Sequence, residues 1–222
     1  MSERVTLTQF TEAEGTGDWR IVGDGACAFF ATASLAQAAR FVAGIAARPA
    51  IETHLPDIDI RPGGVTVRLV TADEHDYGMS ARDIELAREI SGIASGMGLP
   101  ADPRQVQSVL VIPGASDVGA IMPFWQAALG YERRADSPDE DLVDPRGRGP
   151  AFWFETMEET RPGGGGAVHV AVWVPAELAE ERVAAALAAG GRVVRDRFSP
   201  AWLTLADAAG NEVDISTISG RG

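Results

Sequence analysis

The sequence predicts an α+β protein of two domains: an N-terminal antiparallel sheet covered by helices on one face over 1–99, then paired βαβββ units over 105–222. Three observations carry this reading. A helical stretch ends in GMGLPADPRQ, where Gly96, Gly98, Pro100 and Pro103 crowd a short segment and a strand-like run follows at once, which marks a boundary near residue 100. Before that boundary, helical and period-two patterns mix as they do when helices cover one face of a small antiparallel sheet. After it, the order strand, helix, strands occurs twice.

In the first part, Ser34 followed by Gln37 reads as a capping box, and Leu35, Ala38, Phe41, Val42 and Ile45 continue at helical spacing to about Arg48. Short strands fit at 26–32 and 57–60. The run Val65-Thr-Val-Arg-Leu-Val-Thr71 alternates, with Val65, Val67 and Leu69 on one face and Thr66 and Arg68 on the other. A second capping box, Ser80 to Asp83, opens a helix whose Ile84, Ala87, Ile90 and Ile93 form a stripe. In the second part, one copy of the repeat has strand 107–112, helix 118–129 ended by Gly130, and strands at 131–136 and 151–156. The other has strand 168–174, helix 176–189 ended by Gly190 and Gly191, and strands at 192–194, 201–206 and 212–217. Phe124 and Trp125 fall on the helix face expected to pack on the sheet, and Trp202 is open to either side. The glycine run 163–166 precedes a strand, so it reads as a hairpin connection and not as a phosphate loop. The acidic stretch 136–144 reads as a solvated loop.

Composition narrows the function. With 45% hydrophobic and 23% charged residues the chain folds, and its 32 acidic against 19 basic residues give a net charge of −13 that opposes nucleic acid and anionic membranes as partners. No apolar run reaches the length of a membrane span, and the start MSERVTLTQF has no signal-peptide pattern, so the expected location is cytoplasmic. All the basic residues are Arg, which removes lysine Schiff bases and lysine general bases. The lone cysteine, Cys27, sits among apolar neighbours and reads as a core residue.

The stretch HLPDIDIRPGGVTVRLVTADEHDYGMSARDIELAREI, with the helix before it, resembles the pterin-4a-carbinolamine dehydratase family over about residues 15–99. That family carries two adjacent histidines, a proline and an acid, then a strand ending in Thr-His, a Gly-Leu-Ser/Thr turn and an Asp-Ile helix start. His54, Pro56, Asp57, Gly78, Ser80, Asp83 and Ile84 match. Leu55 replaces the second histidine, Ala72 the Thr-His histidine and Ala50 an acidic residue four before His54. The implied chemistry is loss of water from a 4a-hydroxytetrahydropterin, with catalytic residues His54, His75 and Asp83 and with Pro56 and Asp57 against the substrate. His75 lies in a loop two residues longer than the family's; it either replaces the histidine missing at 72 or is an exposed loop residue. Asp83 is a helix cap, an orienter of His54, or both. Two missing imidazoles imply weak or lost activity, since each is worth ~10²–10⁴ in rate. A pterin-binding or dimerising module without catalysis is the alternative.

Residues 106–217 resemble the glyoxalase-like branch of the vicinal oxygen chelate superfamily. The resemblance rests on PFWQAALGY (123–131), Val143-Asp-Pro-Arg-Gly, His169 in AVHVAVWV, and DAAGNEVDI (207–215). Carried over, it implies a small-molecule pocket lined by Gln107, Trp153, Glu155, His169 and Asp214. Metal-bearing members would place ligands at Gln107, at Trp153 or Glu155, at His169 and at Asp214. Only His169, Asp214 and Glu155 suit a divalent ion, so no metal and no other cofactor is expected. A metal-dependent lyase or dioxygenase in this domain is the competing reading. The partner expected overall is a small molecule, a pterin among the candidates, together with a second copy of the chain.

Overall fold

The computed structural model describes residues 3–72, 77–157, 168–206 and 212–220. The chain divides into two compact units, 1–106 and 107–221.

The first unit runs α1 (Leu7–Glu12), β1 (Arg20–Val22), β2 (Gly25–Ala31), α2 (Leu35–Ala46), β3 (Asp57–Arg61), β4 (Gly64–Leu69), β5 (Thr71–Ala72), β6 (Tyr77–Gly78) and α3 (Ala81–Gly96). Strands β1-β2-β4-β3 form an antiparallel sheet in that order, and β5 and β6 form a separate small hairpin. Alternation works as the sequence requires. Val65, Val67 and Leu69 of β4 lie opposite Phe30, Ala28 and Ala26 of β2, and all six are buried. Helices close this face: Phe41 of α2 meets Phe30 edge-on at 5.2 Å between ring centres. Trp19 meets the same ring at 6.3 Å and donates its indole N–H to the Ala87 carbonyl of α3.

Two stripe assignments shift. Leu35 is 73% exposed, because the buried row Ala38, Phe41, Ile45 runs back through the N-cap Ser34 and not through the first helical residue. In α3 the buried row is Asp83, Leu86, Ala87, Ile90 and Ala94, so a carboxylate heads an otherwise apolar stripe. Cys27 is buried, and burial pushes its thiol up to about 11, the nearby Arg68 notwithstanding. It is inert core.

The second unit runs β7 (Ser108–Ala115), α4 (Val118–Leu129), β8 (Glu132–Arg133), β9 (Asp141–Val143), β10 (Ala151–Trp153), β11 (Glu155–Thr156), β12 (Val168–Trp173), α5 (Ala179–Ala188), β13 (Arg192–Arg195), β14 (Trp202–Ala206) and β15 (Glu212–Ser216). The strand order β13-β14-β15-β12-β7-β10-β9-β8 is symmetric about its centre. β7 and β12 pair antiparallel, each then has a parallel neighbour (β10 and β15), and antiparallel strands continue outward on both sides. The unit is therefore a duplicated βαβββ. Gly130 closes α4 at φ 63°, a conformation that favours glycine.

The acidic stretch 136–144 is not only a solvated loop. It contains β9, where Leu142 is fully buried and the carboxylate of Asp141 accepts from Ser137 and pairs with Arg134 at 3.3 Å. Charge density hid a strand whose apolar anchor is one residue. Trp125 packs on the core around Phe152, 5.4 Å between ring centres. The side chain of Phe124 and the run 163–166 lie outside the described residues.

The helices share one face of this sheet. Val111 packs under α4, while Val172 and Val174 pack under α5. In the β7–β12 register, odd residues of β7 lie beside even residues of β12, so these side chains share a face. The opposite face carries Leu110, Ile112, His169, Ala171 and Trp173, and it is left open for a site.

Phe41→Ala is expected to lower unfolding free energy by about 3–5 kcal/mol, the cost of a large aromatic cavity. Urea denaturation checks it, and a loss under about 1 kcal/mol would contradict the Phe30–Phe41 pairing as the core of the first unit.

Candidate functional site

In the first unit, the row that buries α3 puts Asp83 at the helix start with its side chain 0% exposed. Its Oδ2 accepts from the Ser80 amide at 2.7 Å, the Ser80 hydroxyl at 2.9 Å and the Thr71 hydroxyl at 2.8 Å. Its Oδ1 lies 2.6 Å from His54 Nε2. Asp83 is thus the acidic half of the capping box and the partner of His54 at once. Burial pushes this carboxyl up, but the hydrogen bonds from His54, Thr71 and the Ser80 amide outweigh it and hold the group below the ordinary carboxylate range. An ionised Asp83 only accepts, so the proton of that contact sits on Nε2 and the basic nitrogen of neutral His54 is Nδ1. Thr71 and Ser80 were not foreseen as site residues; the Ser-x-x-Asp box is the signal that contains Ser80, while Thr71 ends the alternating run and reaches Asp83 only in the fold.

The other positions of the resemblance behave differently. Leu55 is 76% exposed, Ala72 is exposed on β5, and Ala50 lies half-buried in the turn before His54, whose amide donates to its carbonyl. Pro56 is half-buried. Asp57 is exposed at the start of β3 and takes an ion pair from Arg68 at 3.1 Å, and Arg68 also donates to the Tyr77 hydroxyl at 3.0 Å. His75 lies outside the described residues.

In the second unit, a cavity of about 690 Å³ opens on the helix-free face. Trp153, Glu155, His169 and Asp214 all line it, in keeping with the strand alternation that puts 153 and 155 on one side. So do Trp173, Arg195, Arg197, Phe198 and Trp202, of which only Trp202 was raised from sequence. Trp173 was available by counting in twos from His169. Asp214 is nearly buried. Its Oδ2 lies 3.3 Å from His169 Nε2 and its Oδ1 accepts from the Thr204 hydroxyl at 2.5 Å. Burial pushes this carboxyl up, while His169, Thr204 and the charge of Arg195 bring it below its ordinary value.

Gln107 does not line the cavity. The β7–β12 register puts the even residues of β7 on the cavity face, opposite His169 and Ala171, so an odd residue points to the other side. Gln107 lies just before β7, exposed, and accepts from Arg182 of α5 at 3.2 Å. A divalent metal does not fit the donors that remain. Among the described residues no three His, Cys, Asp or Glu side chains converge, and His169 and Asp214 are engaged with each other and with Thr204.

Two family models match the chain, one after the other. Residues 3–93 match pterin 4 alpha carbinolamine dehydratase, and residues 109–216 match the glyoxalase-like domain. The chain is a fusion of a pterin carbinolamine dehydratase domain with a glyoxalase-like domain. No curated protein matches it. Among solved structures, a glyoxalase/bleomycin resistance protein/dioxygenase superfamily member from Vibrio splendidus 12B01 is similar at 17% identity and a TM-score of 0.34, over 50% of this chain and 99% of that one. Among the described residues, no helix is long and apolar enough to cross a membrane.

The depressed carboxyl of Asp83 has a defined effect on stability. The folded state binds its proton less readily than the unfolded chain, so the stabilisation is present above about pH 4 and fades as pH falls through the folded value. Asp83→Asn is expected to cost about 1–3 kcal/mol at neutral pH and to flatten this part of the acid-side fall. Urea midpoints from about pH 7 to about pH 3 check it; parallel curves for both proteins would contradict the assignment.

Proposed function

We propose that the N-terminal domain binds a 4a-hydroxytetrahydropterin and dehydrates it slowly, with His54 as its one described imidazole. The observation that carries this reading is the His54–Asp83 contact, retained in full while Leu55 and Ala72 stand where the resemblance places imidazoles. In the reaction the N5–H proton is removed, its bonding pair closes the C4a–N5 double bond, and the C4a hydroxyl leaves as water after taking a proton. His54, with Nε2–H held by Asp83, presents Nδ1 to accept or return one of these protons. The other transfer has no imidazole among the described residues, which is why the rate is low.

Stopped-flow dehydration of a 4a-hydroxytetrahydropterin tests this. The wild type is expected to be slow, and His54→Ala to lower its rate by a further ~10²-fold, with Asp83→Asn between the two. A fast wild-type rate lost in both His54→Ala and His75→Ala would contradict the slow reading and make His75 the replacement. A bound pterin with no turnover would leave a binding module.

A second reading concerns the other domain, and the cavity favours it. Its volume falls within the range of small-molecule sites, and its walls combine three tryptophans, a phenylalanine and aliphatic side chains with converging polar groups. We propose that the glyoxalase-like domain binds a small organic molecule there without a metal.

A further inference from the structure

We propose that this cavity takes a flat organic anion, its ring against the tryptophan walls and its carboxylate on Arg195 and Arg197; the proposal rests on the reading of the cavity as a ligand site.

The backbone of β13 supplies the first argument. Arg192 and Val193 pair with Ala206 and Leu205, but Arg195 pairs with Thr204, so the register shifts by one residue between Val193 and Arg195. Without that bulge Arg195 would lie opposite Leu203, which faces α5. With it, Arg195 lies opposite Thr204 and lines the cavity. A bulge that turns one side chain from a helix-packed face to an open one is a device for aiming that side chain.

Charge supplies the second. Of the two acids that line the cavity among the described residues, Asp214 is turned to His169 and Thr204, and Glu155 is the other, facing a cavity with two guanidinium groups. Among the described residues, no carboxylate lies within ion-pair distance of Arg195 or Arg197. The four formal charges cancel, so selection comes from the open guanidinium forks and not from a net charge. A guanidinium presents a planar fork of donors that matches a carboxylate, so two of them beside one cavity select an anion over a cation.

Shape supplies the third. The Arg197 guanidinium lies 4.6 Å above the Phe198 ring, and that ring stacks on Trp202 at 4.3 Å and 19°. Trp153 and Trp173 add further aromatic surface to the lining. Such walls recognise a flat ring and offer little to a bare inorganic ion.

Isothermal titration of the full chain with three probes of one ring tests the proposal: 1-naphthoate, 1-naphthalenemethanol and 1-naphthylmethylammonium. Naphthoate is expected to bind once per chain, the alcohol at least about tenfold more weakly, and the ammonium more weakly again. Arg195→Gln and Arg197→Gln are each expected to weaken naphthoate about ten- to a hundredfold and to leave the alcohol unchanged. Arg195→Lys, which keeps the charge and loses the fork, falls between. Trp202→Ala weakens all three probes, which locates them in the cavity. Equal affinity for the three probes, or naphthoate affinity untouched by both glutamine variants, would overturn the anion while leaving the cavity a ligand site. Binding of none of the three would overturn both.

Discussion

A carboxylate withdrawn from water has to be supplied with donors, and both domains meet that demand with an imidazole. Asp83 is wholly buried and takes four contacts, from Thr71, from the amide and hydroxyl of Ser80, and from His54. Asp214 is nearly buried and takes two, from Thr204 and His169. In each case burial alone pushes the carboxyl up, and the donors reverse the direction. The consequence for function is the same twice over: an aspartate that must stay charged fixes which nitrogen of its histidine carries the proton. In the first domain this same carboxylate also opens α3, so the cap of the helix and the orientation of the one described site imidazole rest on one group.

The two domains surround that shared device differently. The first domain has the pair, with an exposed leucine and an exposed alanine where the resemblance asks for further imidazoles, so it presents one oriented imidazole and no second one among the described residues. The glyoxalase-like domain places the pair in a cavity whose walls also carry tryptophans, two arginines, Glu155 and aliphatic side chains. Its imidazole and carboxylate are committed to each other and to Thr204, which is why they do not fit a divalent ion.

How much of this was legible follows from what a linear pattern encodes. Period-two and period-three-to-four spacing gave β4 and α2 to within two residues, and the capping box placed Asp83 where its second task became visible. The duplicated element order was legible; β9 was not, because Leu142 is a single apolar residue among acids. Gln107 was placed one residue out of phase, and in a strand one residue is the difference between the two faces. Arg195 was beyond reach for a related reason: its direction is set by a bulge in β13, and an Arg-Val-Val-Arg run carries no mark of where the register slips. Trp173, two residues past Ala171 on the same strand, follows from the same alternation that places His169.

The claim that buried aspartates hold His54 and His169 is tested most directly by proton–nitrogen NMR of the imidazole rings, of which the chain has three. Two slowly exchanging Nε2–H signals are predicted near neutral pH, one lost in Asp83→Asn and the other in Asp214→Asn. Rapid solvent exchange and averaged nitrogen shifts for His54 and His169 in the unmodified protein would contradict the account.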